Sequence, residues 1–253
     1  MIKLPCNEPD LGRGPAPLER AEVYDLLARL FYQPTPDGLA PADTASALRR
    51  LDELARSFGL PGIDSRHLEL DASALREEYV RVFTHSISKE CPPYETEYGE
   101  AHVFMQTADL GDIQGFYRAF GLSPHALAHE RPDQLGFELE FMAFLAAKES
   151  VFPGEGADIC RDASAKFLRD HLGHWTPAFC ARLARRAEGG LYEQLARLLK
   201  AWMSAEMKHH GIDPGDLRTL DLKPPSFDPE TSDCSTCGMG DIPDTFFNQG
   251  AKP

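Results

Sequence analysis

The sequence predicts an all-α protein of about eight to eleven helices. Apolar residues recur at three- and four-residue spacing through most of the chain, and no useful stretch alternates apolar and polar residues as a half-buried strand would. Gly and Pro stand at the ends of these periodic segments, where they end helices. We expect one bundle-like domain over residues 15–211, or two lobes joined by a hinge at 121–133. An acidic tail over 212–253 would follow.

The predicted helices follow one another with short connections. The first spans 18–32 and ends before Pro34, because proline removes a backbone donor and restricts its neighbour. The second spans 43–58 and ends at Gly59. The same apolar periodicity places later helices at 71–83, 107–120, 134–148, 158–172, 177–187 and 191–209.

The helix over 134–148 is the most apolar of the set. It has two apolar stripes, which predict a central, buried position. One stripe holds Leu135, Leu139, Met142 and Ala146, and the other holds Phe137, Phe141, Phe144 and Leu145. Asp133 is the expected N-cap. Glu138 and Glu140 interrupt the apolar pattern, so each should be paired, protonated or at a cavity edge, and an ion pair with an arginine is the favoured arrangement for both.

Composition excludes several functional classes. The 253 residues carry a formal charge of −14, which argues against nucleic acid and anionic membrane as partners and suits a basic peptide. No run approaches 18 apolar residues, so we expect no bilayer span and no stable membrane association. The N-terminal residues lack an apolar signal region and a twin arginine, which favours a cytoplasmic location. The six cysteines are expected to be mostly reduced thiols.

A proline-stiffened segment over 91–98 is the first candidate site. Two prolines force an extended backbone that would present Tyr94, Glu95, Glu97 and Tyr98. Carboxylates pair with arginine in a fork and phenol rings stack on guanidinium groups, so this set suits a cationic, partly apolar peptide. The alternative is a loop that packs its tyrosines on the core and leaves its acids in solvent.

Signatures of catalysis and metal binding are weak. There is no Walker loop, GxGxxG, HExxH or GxSxG, so we predict no enzyme and no cofactor. His171 and His174 are better explained by capping or core packing than by a metal site, and a hydrolase built on Glu138 or His171 would need a deep polar pocket. The pair Cys234 and Cys237 supplies half of a zinc ligand set. A metal- or cofactor-handling maturation protein therefore remains the alternative function.

Three segments, in their order along the chain, resemble the family of molybdoenzyme-specific assembly chaperones. This family includes the trimethylamine oxide and dimethyl sulfoxide reductase chaperones and nitrate reductase delta-subunit proteins. The three segments are Glu78-Tyr-Val-Arg-Val-Phe83, Pro92-Pro-Tyr-Glu-Thr-Glu-Tyr98, and Glu130-Arg-Pro-Asp-Gln-Leu135 followed by Glu138-Leu-Glu-Phe-Met142. The second segment is most similar to the subgroup that serves type II enzymes of the dimethyl sulfoxide reductase family.

The resemblance implies a helical chaperone, monomeric or homodimeric, that binds the catalytic subunit of a molybdenum oxidoreductase. It would hold this client until its cofactor is inserted and delay its export through the twin-arginine pathway. The client-binding residues predicted together from the resemblance and the residue chemistry are Tyr94, Glu95, Glu97, Tyr98, Glu130, Pro132, Asp133, Gln134, Leu135 and Glu138. We expect Glu95 and Asp133 to face one cleft. Gln134 replaces the usual histidine of the family and cannot titrate.

Overall fold

The structure is a computed structural model, and it describes residues 15–34, 41–83, 91–98, 103–122 and 131–217. Apart from one isolated β-bridge, every regular element in these ranges is helical. The α-helices are α1 (Pro17–Phe31), α2 (Pro41–Ser57), α3 (Ala72–Phe83), α4 (Val103–Ala119), α5 (Leu135–Val151), α6 (Glu155–Phe167), α7 (Gly173–Arg186) and α8 (Leu191–His209). The predicted all-α class is confirmed.

Helix α5 lies against both α1 and α6, and α7 packs on α8. Aromatic side chains join these layers in the core, where the rings of Tyr24 and Trp202 meet edge to face at 5.4 Å. Phe31 and Phe179 make a similar contact at 5.9 Å between α1 and α7. Helix α1 is therefore buried along most of one face, as its apolar periodicity predicts.

A buried ion network fixes α1 to α5 and α8. The Arg20 side chain is almost fully buried and donates to Glu206 at 2.9 Å and to Glu149 at 3.0 Å. Tyr24 donates its hydroxyl to the same Glu206 at 3.0 Å. The ring of His210 lies 2.8 Å from Arg20, and burial lowers the pKa of His210 to about 3, so this ring is neutral. Arg20 thus supplies a buried positive charge to the carboxylates of both Glu149 and Glu206.

A π-helical turn over Leu168–Leu172 joins α6 to α7 without an intervening loop. The predicted helix over 177–187 therefore begins earlier than expected, at Gly173, and Pro177 lies inside it. Such turns widen a helix locally and change which side chains share a face. Here the wider turn brings His171 and His174 to the same buried carboxylate, that of Glu95.

Two parts of the predicted domain organisation fall mainly on residues outside the described ranges. The predicted hinge at 121–133 includes 123–130, and almost all of the predicted tail lies beyond Leu217. Both stay predictions.

Candidate functional site

The proline-stiffened loop 91–98 lies directly against the start of α5. Tyr94 and Gln134 form an antiparallel β-bridge. The amide of Glu95 donates to the carbonyl of Asp133 at 3.0 Å, and the amide of Leu135 donates to the carbonyl of Pro93 at 2.9 Å. The two segments that the sequence singled out are therefore one structural unit, although 37 residues separate Thr96 from Asp133.

Asp133 is fully buried and binds the loop instead of capping its own helix. One carboxylate oxygen accepts from the amide of Thr96 at 3.1 Å and from its hydroxyl at 2.9 Å. The predicted N-cap role belongs to Gln134, whose side chain accepts from the amide of Gly136. The prediction for Asp133 was wrong because the β-bridge turns its carboxylate towards the 3-10 turn over Glu95–Glu97.

The acidic and aromatic groups of the loop already hold arginines of this chain. Arg131 donates to both oxygens of Asp133, at 3.0 and 2.8 Å, and to Glu97 at 3.1 Å. Its guanidinium also lies 4.7 Å from the centre of the Tyr94 ring. Arg182 stands over the Tyr98 ring at the same distance. Arg131 and Arg182 of this chain thus already make the contacts that we expected these side chains to make with an arginine of a client peptide.

Burial separates the predicted site residues into two groups. The buried group holds Glu95, Tyr98, Asp133, Gln134, Leu135 and Glu138. Tyr94, Glu97 and Pro132 are half-buried and reach the surface, and Glu130 lies outside the described residues. The backbones of Glu95 and Asp133 are joined, but both side chains are buried and their carboxylates have separate partners, so the predicted shared cleft was wrong. A fully buried side chain contacts a partner only if the surrounding structure moves, and client contact through the buried group stays a prediction.

Glu138 belongs to a buried carboxyl pair. Its Oε2 accepts from the indole N–H of Trp175 at 3.0 Å, and its carboxyl lies within hydrogen-bond reach of Glu95. Burial and then repulsion by Glu95 raise the pKa of Glu138 well above its ordinary value, which favours its protonated form. The expected arginine ion pair was wrong, because the neighbours of Glu138 are an indole and a second carboxyl.

His171 connects this pair to the surface. Its Nδ1 lies 3.2 Å from Oε1 of Glu95, and its Nε2 lies 3.1 Å from Oδ2 of Asp112 on α4. Burial lowers the pKa of His171, but the hydrogen bonds and charges of the two carboxylates outweigh this and raise it overall. Neither of the two pockets described in the structure is lined by His171 or Glu138, and the hydrolase alternative stays a prediction.

A separate apolar groove lies between α1, α4 and α5. Its volume is about 860 Å³, within the range of pockets that bind small molecules and short segments. Most of its wall is apolar and includes Leu18, Ala21, Tyr117, Phe137, Ala143 and Phe144. Phe137, Phe141 and Phe144 of the second apolar stripe of α5 thus line this groove, whereas Leu145 and the first stripe lie in the core.

Three carboxylates stand at the edge of the apolar groove. Glu22 pairs with Arg50 at 2.7 Å, and Asp25 pairs with Arg29 at 3.0 Å. Glu140 is exposed, and no lysine or arginine of the described residues pairs with it. Partial burial and the charge of Asp25 raise the pKa of Glu140, and together they outweigh the hydrogen bond from Tyr32 and the charge of Arg29, which lower it. A cation at this edge would relieve that repulsion.

The apolar groove and the loop unit share a wall. Tyr117 lines the groove, and its hydroxyl donates to the carbonyl of Pro132 at 2.9 Å. Its ring also meets the ring of Phe141 at 5.0 Å. The half-buried loop residues therefore lie beside the groove instead of forming it.

Comparison with known families is decisive at this point. The profile described as "Nitrate reductase delta subunit" matches residues 38–181, which is more than half of the chain. The chain belongs to the nitrate reductase delta subunit family. This confirms the family resemblance read from the sequence.

Several proteins that are named as chaperones are similar to this chain. The perchlorate reductase assembly chaperone protein of Dechloromonas aromatica is 27% identical over 201 residues, covering 76% of this chain and 89% of that protein. Chaperone protein TorD of Vibrio cholerae is 25% identical over 209 residues, covering 76% and 91%. The selenate reductase assembly chaperone protein of Thauera selenatis is 34% identical over 113 residues, covering 44% and 58%. The predicted chaperone function agrees with these names.

The apolar groove was not predicted from the sequence, although the apolar stripe of α5 that forms one of its walls was recognised. The stripe of Phe137 and Phe144 was taken as core, whereas both side chains are half-buried and line the groove. Leu18 gave a second signal, because it is a large apolar residue that stays 64% exposed at the start of α1. A second apolar stripe on one helix, facing an exposed leucine on another, is the pattern that indicates such a groove.

In the described ranges no group of three or more His, Cys, Asp or Glu side chains is placed to hold a metal ion. Cys234 and Cys237 lie outside those ranges, so the metal-handling alternative stays a prediction. None of the helices described is both long and apolar enough to cross a membrane.

Proposed function

We propose that this protein is a cytoplasmic assembly chaperone for a molybdenum oxidoreductase. It binds the catalytic subunit before cofactor insertion and delays its twin-arginine export. The chaperone itself catalyses no reaction. The observation that carries this proposal is the apolar groove with its carboxylate edge, in a chain whose family relatives are named as reductase assembly chaperones.

The groove suits an apolar helical segment of the client that has arginine or lysine at one end. An amphipathic or apolar helix is bound by laying its apolar face into a groove of this kind. Glu140 then receives the basic end, because it is exposed and forms no ion pair with a basic side chain of the described residues, although the charges of both Asp25 and Arg29 reach it. The pairs that Glu22 and Asp25 make are exposed, so each stabilises the fold only weakly and is free to exchange partners.

The loop unit contributes a second, smaller contact area beside the groove. Tyr94, Glu97 and Pro132 are half-buried, and the carbonyl of Pro132 accepts from the hydroxyl of Tyr117 in the groove wall. The buried residues of the predicted site hold the backbone of this contact area in place. Asp133, for example, fixes the loop backbone through Thr96.

A labelled synthetic peptide tests the groove directly. The peptide carries two arginines followed by an apolar stretch of about 12 residues, the composition of a leader segment. We expect fluorescence anisotropy to show binding that weakens at least tenfold in Ala143→Glu, which places a charge in the groove. Ala181→Glu, on the exposed face of α7, is the matched control. Equal affinity for the two variants would contradict the groove as the binding site.

Co-purification tests the client. We expect a molybdenum reductase catalytic subunit that has its leader to be retained on the wild-type protein and lost on Ala143→Glu. Replacing Glu140 by Gln should weaken retention of peptides that carry arginine and leave peptides with glutamine in those positions unaffected. If the catalytic subunit is retained equally by both proteins, the chaperone has another binding surface.

A further inference from the structure

Four side chains form a path from the surface into the core. Asp112 on α4 is 65% exposed, and its carboxylate lies 3.1 Å from His171. The other nitrogen of His171 lies 3.2 Å from Glu95, which in turn reaches Glu138 on α5. His171 and Glu95 are both almost completely buried. The path therefore connects solvent to a buried carboxyl pair through one imidazole.

The geometry favours the imidazolium form of His171. A neutral histidine donates through one nitrogen only, and here both nitrogens face carboxylate oxygens. Burial alone would lower the pKa of His171, and the two carboxylates raise it. His171 is therefore the matched cation for Glu95 and Asp112, and it holds the 3-10 turn, α4 and the π-helical turn together.

His171 is the nearer of two imidazoles that face the buried carboxylate of Glu95. His174 places Nε2 at 3.7 Å from the same oxygen of Glu95, and Glu138 stands behind Glu95 from α5. Two aromatic rings, Phe116 from α4 and Phe167 from α6, cover the imidazole at 5.5 and 5.0 Å. When His171 loses its proton, it no longer places a positive charge between the carboxyl groups of Glu95 and Asp112.

The helix that His171 holds is also a wall of the apolar groove. Asp112, Phe116 and Tyr117 are on α4, and Tyr117 lines the groove while the other two contact His171. We propose that the protonated bridge from Asp112 through His171 to Glu95 fixes this wall, so that client affinity falls when His171 loses its proton. This inference rests on the proposed function, because it concerns the regulation of the same groove.

The direction of the pH dependence follows from the raised pKa of His171. The bridge is complete below the ordinary histidine value of about 6.5 and is lost as the pH rises through the higher value in the folded protein. Glu138 acts in the same direction, because its pKa is also raised and its ionisation adds a charge to the buried pair. Client affinity should therefore be highest near pH 6.5 and fall towards pH 9.

The first test uses the free protein. NMR of the imidazole nitrogens should show His171 doubly protonated at pH 7, with a titration midpoint above that of an exposed histidine. Asp112→Asn should lower this midpoint, because it removes the exposed carboxylate and keeps the buried one. Asp158→Asn is the matched control, since that carboxylate is 67% exposed, pairs with Arg161 and lies on α6. A single protonated nitrogen, or equal midpoints in the two variants, would overturn the proposed bridge.

The second test uses the twin-arginine peptide probe. Its affinity for the wild-type protein should fall about fivefold or more between pH 6.5 and pH 9, a typical coupling between two sites. In Asp112→Asn this loss should begin at a lower pH, and in Asp158→Asn it should match the wild type. His171→Gln should bind with little pH dependence, and Asp112→Asn decides the question if that variant does not fold.

The two tests separate the possible failures. If the peptide binds but its affinity is independent of pH in all variants, the regulation is wrong and the proposed function stands. If the peptide does not bind at any pH while the NMR midpoint responds to Asp112→Asn, the bridge exists and the groove assignment is wrong.

Discussion

Replacing Asp133 by Asn tests how much the loop unit depends on one buried carboxylate. Asp133 is fully buried and accepts two hydrogen bonds from Thr96 and two from Arg131. Breaking a fully buried pair costs roughly 3–5 kcal/mol. The Arg131 side chain is 40% exposed, so water replaces part of the lost interaction, and we expect a loss of about 2–3 kcal/mol.

This loss is measured by thermal and urea unfolding followed by circular dichroism. For a chain of this size each kcal/mol moves the melting temperature by about 2–4 °C, so Asp133→Asn should melt about 4–12 °C lower. Glu97→Gln is the matched control. It removes a half-exposed partner of the same Arg131, and that change should cost less than about 1 kcal/mol. Equal losses in the two variants would refute a central role for Asp133.

Three further predictions concern the core. Trp175→Phe removes the donor to Glu138 and should cost about 1–3 kcal/mol in urea unfolding. Arg20→Met strips Glu206 of its buried cation and should cost about 3–5 kcal/mol, measured in the same way. The free energy of unfolding should fall from pH 6.5 to pH 9, because raised pKa values at Glu138 and His171 mean that the folded state binds more protons than the unfolded state.

Each of these predictions has a matched control or a clear contrary result. Arg50→Met removes an exposed ion pair with Glu22 and should cost less than about 1 kcal/mol, so a loss as large as that of Arg20→Met contradicts the burial argument. A Trp175→Phe variant as stable as the wild type means that the indole N–H is not needed by Glu138. Stability that is constant or rises above pH 6.5 excludes His171 as a buried cation.

The helices could be predicted from the sequence because their signal is local. Apolar residues at helical spacing mark α8 over its whole length, and the observed helix Leu191–His209 has the predicted bounds. The continuous path from α6 to α7 was not predictable in this way, because a π-helical turn has no distinctive residue pattern and Pro177 suggested a helix start.

The candidate site was predicted less well because it depends on contacts distant in sequence. Asp133 before an apolar helix has the composition of an N-cap, and only the β-bridge between Tyr94 and Gln134 shows why it binds the loop instead. The resemblance singled out two segments that the structure joins into one unit, whereas their chemistry suggested surface recognition. In the structure Arg131 satisfies much of that chemistry internally.

The apolar groove required three helices to be placed side by side, which no local pattern provides. The two apolar stripes of α5 were visible in the sequence, but nothing in α5 tells which stripe faces the core and which faces α1 and α4. Glu140 was expected at a cavity edge or in a pair, and it lies at the edge of the groove.

Photo-crosslinking tests the client groove most directly. A twin-arginine peptide with a benzophenone group in its apolar stretch is irradiated with the wild-type protein, and the attachment points are mapped by mass spectrometry. The groove assignment predicts attachment to α1 and α5 at Leu18, Ala143 or Phe144, with loss of these products in Ala143→Glu. Attachment confined to α2, α3 or α8, and unchanged in that variant, would contradict it.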